Sequence, residues 1–110
     1  MTNNGGNLQA ADVQTGGLAN SRIFFRTLGV GSDISIGSLV ADDRGEIFLN
    51  SADDIFDSVF SDDLIVEAEF LSATANNNAI EAFDGVILTT DVDSSFITQP
   101  NGGERFINEV

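Results

Sequence analysis

Ser51-Ala52-Asp53-Asp54-Ile55-Phe56-Asp57-Ser58-Val59-Phe60 is the stretch on which the fold class turns. Ala52, Ile55, Phe56, Val59 and Phe60 fall at i, i+3, i+4, i+7 and i+8, the spacing of a single apolar helix stripe. Ser51 stands as the N-cap, Asp54 as its capping-box partner three residues on, and Asp53 and Asp54 meet the positive end of the helix dipole. Asp62-Asp63 would oppose that dipole at a C-terminus, so the helix is ended before them. The spacing predicts one amphipathic helix lying on a sheet.

Everything on either side of this stretch has the pattern of strands. Arg22-Ile23-Phe24-Phe25-Arg26-Thr27-Leu28 carries apolar residues on both faces, as in a strand covered from two sides. Gly29-Val30-Gly31-Ser32 is a turn. Ile34 and Ile36 then alternate with Asp33, Ser35 and Gly37, and Leu39-Val40 shifts phase through a bulge at Gly37. Asp42-Asp43-Arg44-Gly45 fits a type I turn that returns Glu46-Ile47-Phe48-Leu49 as a third strand of an antiparallel meander. Downstream, residues 64–71 alternate with Glu67 and Glu69 on the wetter face, and Asn76-Asn77-Asn78 is a loop. Asp84-Gly85, between residues 79–83 and 86–90, has the chemistry of a type I′ hairpin. Short strands follow at residues 96–98 and 105–110. The expected fold is mainly β (α+β): an antiparallel sheet or small sandwich or barrel with one amphipathic helix and no internal repeat.

Residues 1–20 differ from the rest, being rich in Gly and Asn, with Leu8, Val13 and Leu18 at no regular period. They are expected to form an extended N-terminal arm, packed back on its own domain or pinned on a neighbouring subunit, ahead of a single β-rich domain at residues 21–110.

With 110 residues the chain is one domain, and its 42% apolar content supplies a core without disulfides. The absent residue types narrow the chemistry. No Cys means no thiol nucleophile or thiolate metal site, and no His means no ordinary general base near neutral pH and no common zinc set. No Lys means no Schiff base and no phosphate-loop lysine. Paired-carboxylate catalysis and hard-cation binding survive this elimination. The formal charge of −14 repels phosphate backbones and anionic lipid headgroups, so neither nucleic acid nor a membrane surface is an expected partner. Such acid excess, with no Lys, resembles the composition of proteins from salt-accumulating halophiles, where about 1 M salt shortens the Debye length to about 3 Å.

Asp91-Val92-Asp93-Ser94-Ser95 resembles the opening of an EF-hand loop, with oxygen ligands at Asp91, Asp93 and Ser95. The sixth position is Phe96 where Gly is required, and the twelfth is Gly102 where Glu is required. Asp42-Asp43, Asp53-Asp54 and Asp62-Asp63 are adjacent pairs whose side chains diverge; caps, turns and a solvated face explain them better than a catalytic dyad. The glycine pairs lie between no strand and helix at phosphate-loop spacing. Arg22 and Arg26, four apart on one strand face, are candidates for carboxylate pairing within the fold or across an interface.

By size, the absence of a signal-like leader, a β-rich domain behind a Gly/Asn-rich arm, and the missing catalytic residue types, the chain resembles the small head-decoration (cement) proteins of tailed viruses. That resemblance implies a non-enzymatic virion protein without cofactor, made in the host cytoplasm. It would bind the major capsid protein or other virion subunits and form a homo-oligomer, with a trimer as one form. Leu8, Val13 and Leu18 would anchor the arm, and Arg22, Phe24 and Arg26 would face an interface. Two alternatives stand beside it: an acidic cation- or ligand-binding surface module using Asp42-Asp43 and Asp91-x-Asp93, and another small structural protein of a virion tail or connector.

Overall fold

The computed structural model describes residues 1–3, 5–15, 21–41, 45–57, 66–79, 85–100 and 103–109. These form β1 (Thr2–Asn3), β2 (Leu8–Ala10), β3 (Val13–Gln14), β4 (Arg22–Thr27), β5 (Ile34–Ile36) and β6 (Leu39–Val40). β7 (Glu46–Ser51), β8 (Ile55–Asp57), β9 (Val66–Ala75), β10 (Gly85–Thr98) and β11 (Glu104–Glu109) complete the set. Every ladder among them is parallel.

The registers show how the chain winds. Thr2 lies beside Arg26, Arg26 beside Asn50, Asn50 beside Thr74 and Thr74 beside Thr98, a step of 24 residues each time. A second face stacks Leu8, Ile34, Ile55 and Val86, and a third stacks Val13, Leu39, Val66 and Thr90. The chain is a three-sided parallel β-solenoid, with β9 and β10 running unbroken around corners from one face to the next.

Its interior is built of side-chain ladders. On the first face Ile23, Ile47 and Leu71 stack one above another, followed by Phe25, Leu49 and Ala73, all pointing inward and buried. Ile34, Ile36, Leu39, Ile47, Ile55, Leu71 and Val66 have no exposed surface. Each large aliphatic side chain so buried contributes about 1.5–3 kcal/mol relative to solvent exposure. Strand alternation sends Arg22, Phe24 and Arg26 outward between the inward Ile23, Phe25 and Thr27, so β4 is covered on one side only.

Several expectations are overturned. The antiparallel meander, sandwich or barrel is replaced by parallel pairing throughout, because the 24-residue step brings matching inward residues into register only when coils run in the same direction. The internal repetition that the sequence pattern does not reveal is this step. No helix forms over the described part of residues 51–60. Ser51 ends β7, and its one hydroxyl proton is shared between Asp54 O at 2.8 Å, within the corner, and Ser32 O at 3.0 Å, on a neighbouring coil, in place of a helix cap. Ile55 then starts β8 between Ile34 and Val86, where its β-branched side chain suits a sheet. Val59 and Phe60 lie outside the described residues. Gly85, expected in a hairpin, instead opens β10 with φ 141°, in a parallel ladder with β11. Asp84 and the turn at residues 42–44 lie outside the described residues.

The described part of residues 1–20, expected as an extended arm, carries the first coil. Leu8 and Ala10 are buried on β5, and Val13 packs partly buried against the same core. The phase shift expected as a bulge at Gly37 is instead the corner between β5 and β6, and the corner takes glycine for a steric reason: Gly37 N–H donates to Ala10 O at 2.7 Å, and a Cβ on Gly37 would stand 2.3 Å from Ala11 O.

Candidate functional site

Where the first face turns into the second, the coils differ in length. The second coil leaves β4 at Thr27 and enters β5 at Ile34, and the fourth leaves β9 at Ala75 and enters β10 at Gly85. The third coil turns within residues 52–54. The short corner is roofed by its longer neighbours. Asn76 N donates to Ser51 O at 3.0 Å, Asn77 N to Asp53 O at 3.1 Å and Asn78 N to Ala52 O at 3.1 Å from one side, and Asp53 N donates to Ser32 O at 3.1 Å on the other. Asp53 is therefore wholly buried and Asp54 nearly so.

A ladder of acidic and amide side chains runs up this corner. Asp33 N donates to Asn7 Oδ1 (2.9 Å), Asp54 N to Asp33 Oδ1 (3.0 Å) and Gly85 N to Asp54 Oδ1 (2.7 Å). Each coil thus hands one backbone N–H to the side chain of the coil before it, just ahead of the second-face strand. Asp53 joins from the side, its Oδ1 accepting from Ala79 N at 3.2 Å. One carboxylate oxygen from each of Asp33, Asp53 and Asp54 lies within 4.8 Å of the others. At an effective dielectric of about 20, two unit charges no farther apart than this repel by at least roughly 3 kcal/mol. Asp53 Oδ2 is buried with no hydrogen-bond partner.

The outer side of the first face is a second feature. Phe24 lies in register with Phe48, which continues through Ser72 to Phe96; Phe24 is 49% and Phe96 65% exposed. Phe48 packs edge-on to Phe70, with ring centroids 6.0 Å apart, and the Arg22 guanidinium sits 5.6 Å from the Phe48 ring centre. Arg22 Nε donates to Glu46 Oε1 at 3.3 Å across the β4–β7 ladder. Arg26 is exposed on the same side.

The remaining expected site residues fall elsewhere. Leu8 and Val13 belong to the chain's own core, and Leu18 lies outside the described residues. Asp91, Asp93 and Ser95 stand exposed along β10. Asp91 lies in register with Glu67 on the third face and Ser95 with Leu71 on the first, so the three stand along a corner of the solenoid. Asp93 and Ser95, with Arg105, line an open depression of about 420 Å³. Sequence reasoning misses Asp33 as a partner of Asp53 and Asp54, because it stands a whole coil away from them. The repeated dipeptide Asp33-Ile34 and Asp54-Ile55 is the signal that marks the stack. No helix of the described residues is long and apolar enough to cross a membrane. The chain matches no protein-family model, and neither the curated proteins nor the solved structures give a significant match, so site and fold rest on the chain's own geometry.

Proposed function

We propose that the chain is a non-enzymatic structural protein that joins subunits of a larger assembly through the outer side of its first face. The observation that carries this is a pair of exposed rings, Phe24 at 49% and Phe96 at 65%, at the two ends of one outward register row that runs through half-buried Phe48 and Ser72, with Arg22 and Arg26 beside Phe24. Apolar rings standing on a flat face lose contact with water only when another molecule covers them, and aromatic residues and Arg are the types enriched at protein interfaces. The parallel ladders fix the spacing of these groups, so little conformational entropy is lost on docking. Two arginines in a chain of charge −14 give this face a local complement to a carboxylate-bearing partner surface.

Decoration of a viral capsid is the setting that the sequence resemblance implies, with other copies of the chain and the major capsid protein as partners. Sedimentation velocity on the wild-type chain and on a Phe24→Ser, Phe96→Ser double variant tests the docking face. The wild type is expected to self-associate or to co-sediment with capsid shells, and the double variant to do neither while keeping its circular dichroism. A wild type that stays monomeric and ignores shells sinks the proposal.

A further inference from the structure

The acidic corner is independent of the docking face. We propose that Asp33, Asp53 and Asp54 hold one hard divalent cation, with Ca²⁺ the best fit. Three observations converge on it. The three carboxylates each place an oxygen within 4.8 Å of the others, although they come from two coils. Asp53 is wholly buried. Its Oδ2 lies in that buried corner with no hydrogen-bond partner. A buried carboxylate oxygen without a donor is costly, and buried charges are normally paired or bound to metal.

Ligand chemistry and burial select the ion. With neither His nor Cys in the chain, the donors are oxygens, which suit Ca²⁺ and Mg²⁺ rather than zinc or copper. Mg²⁺ demands near-ideal octahedral geometry and keeps several of its waters, whereas Ca²⁺ accepts an irregular shell of protein oxygens, which is what a buried corner supplies. The backbone donors Asp54 N, Gly85 N and Ala79 N hold one oxygen of each carboxylate, so the site is oriented before the ion arrives. Bound there, the ion would lock together the corners of successive coils.

Calorimetry and thermal melts on the chelator-treated full chain test this, with CaCl₂ added at ionic strength held constant by NaCl. One saturable site is expected, with Tm raised by about 10 °C when Ca²⁺ reaches roughly 100 times its Kd, and a smaller rise with MgCl₂. Asp53→Asn keeps an acceptor for Ala79 N–H but should abolish the rise. An Asp91→Asn, Asp93→Asn double variant should retain it. Absence of saturable binding, or an equal rise in Asp53→Asn, overturns the proposal, since the effect would then be diffuse screening of an acidic surface. Should Asp53→Asn fail to fold, Asp33→Asn and Tb³⁺ luminescence on the wild type decide: loss of affinity in the variant and displacement of Tb³⁺ by one equivalent of Ca²⁺ support the site, and unchanged affinity rejects it.

Discussion

The first and second faces of the solenoid solve the same stacking problem differently. On the first face every coil follows its predecessor by 24 residues, and like stacks on like: Ile23, Ile47 and Leu71 inside, Phe24 and Phe48 outside. On the second, Leu8 to Ile34 is 26 residues, Ile34 to Ile55 is 21 and Ile55 to Val86 is 31. The difference teaches where a solenoid tolerates irregularity. Side-chain ladders need a fixed register, because a slip of one residue turns every inward group outward. Corners carry no such constraint, and a short corner between two long ones becomes a sheltered polar space. Regularity supplies stability, and the departure from it supplies the acidic site.

The largest effect that would break this contrast is a one-residue insertion. Placed between Phe48 and Leu49 in β7, it should abolish cooperative unfolding, followed by circular dichroism in urea. Placed beside Val30, an 83% exposed corner residue, it should cost only about 1 kcal/mol, for a longer loop and the lost Ser32 N–Gly29 O bond. Equal losses at the two positions would show that corners are as register-bound as faces.

Next in size, Ile47→Ala should lower unfolding free energy by about 2–5 kcal/mol, because the ladder above and below it cannot close the cavity. Ser51→Ala, in the polar corner, should cost about 1–2 kcal/mol, because it removes the hydroxyl whose single proton is shared between Asp54 O and Ser32 O and whose oxygen accepts from Asp53 N–H. Gly37→Ala should cost about 1–3 kcal/mol, since the new methyl group pushes the first coil off the second at Ala11 O. Smallest of all, Arg22→Ala should change stability by less than about 1 kcal/mol, and less again in high salt, because the Arg22 side chain is 70% exposed. A chemical denaturation series across these four variants ranks them; an Arg22 effect rivalling Ile47 would mean that the outer face, not the ladder, carries the fold.

Much of the strand content is legible in the amino-acid sequence. The inward and outward sides of residues 34–36 and the exposure of Glu67 and Glu69 follow from alternation, whereas the strand at residues 86–90 is expected only as the arm of a hairpin that does not form. The helix expected over residues 51–60 fails because a strand end, a three-residue corner and a new strand place Ala52, Ile55 and Phe56 at intervals that also suit a helix. Helical and strand periods cannot be told apart over so short an apolar run. The acidic corner is hidden for another reason: adjacency of Asp53 and Asp54 says nothing about Asp33 until the 21-residue step from Ile34 to Ile55 is known.

By itself the sequence determined the residue types available, the charge of −14 and several of the strand segments, among them residues 34–36 and 46–49, with Ile34 and Ile36 turned inward. Only the tertiary structure decided that strands pair in parallel with their counterparts one coil away, and that three carboxylates meet at one corner. The physical reason is that alternation is a local property, set by the pleat of a single strand, whereas pairing is a choice among distant segments, settled by which register buries all the inward side chains at once.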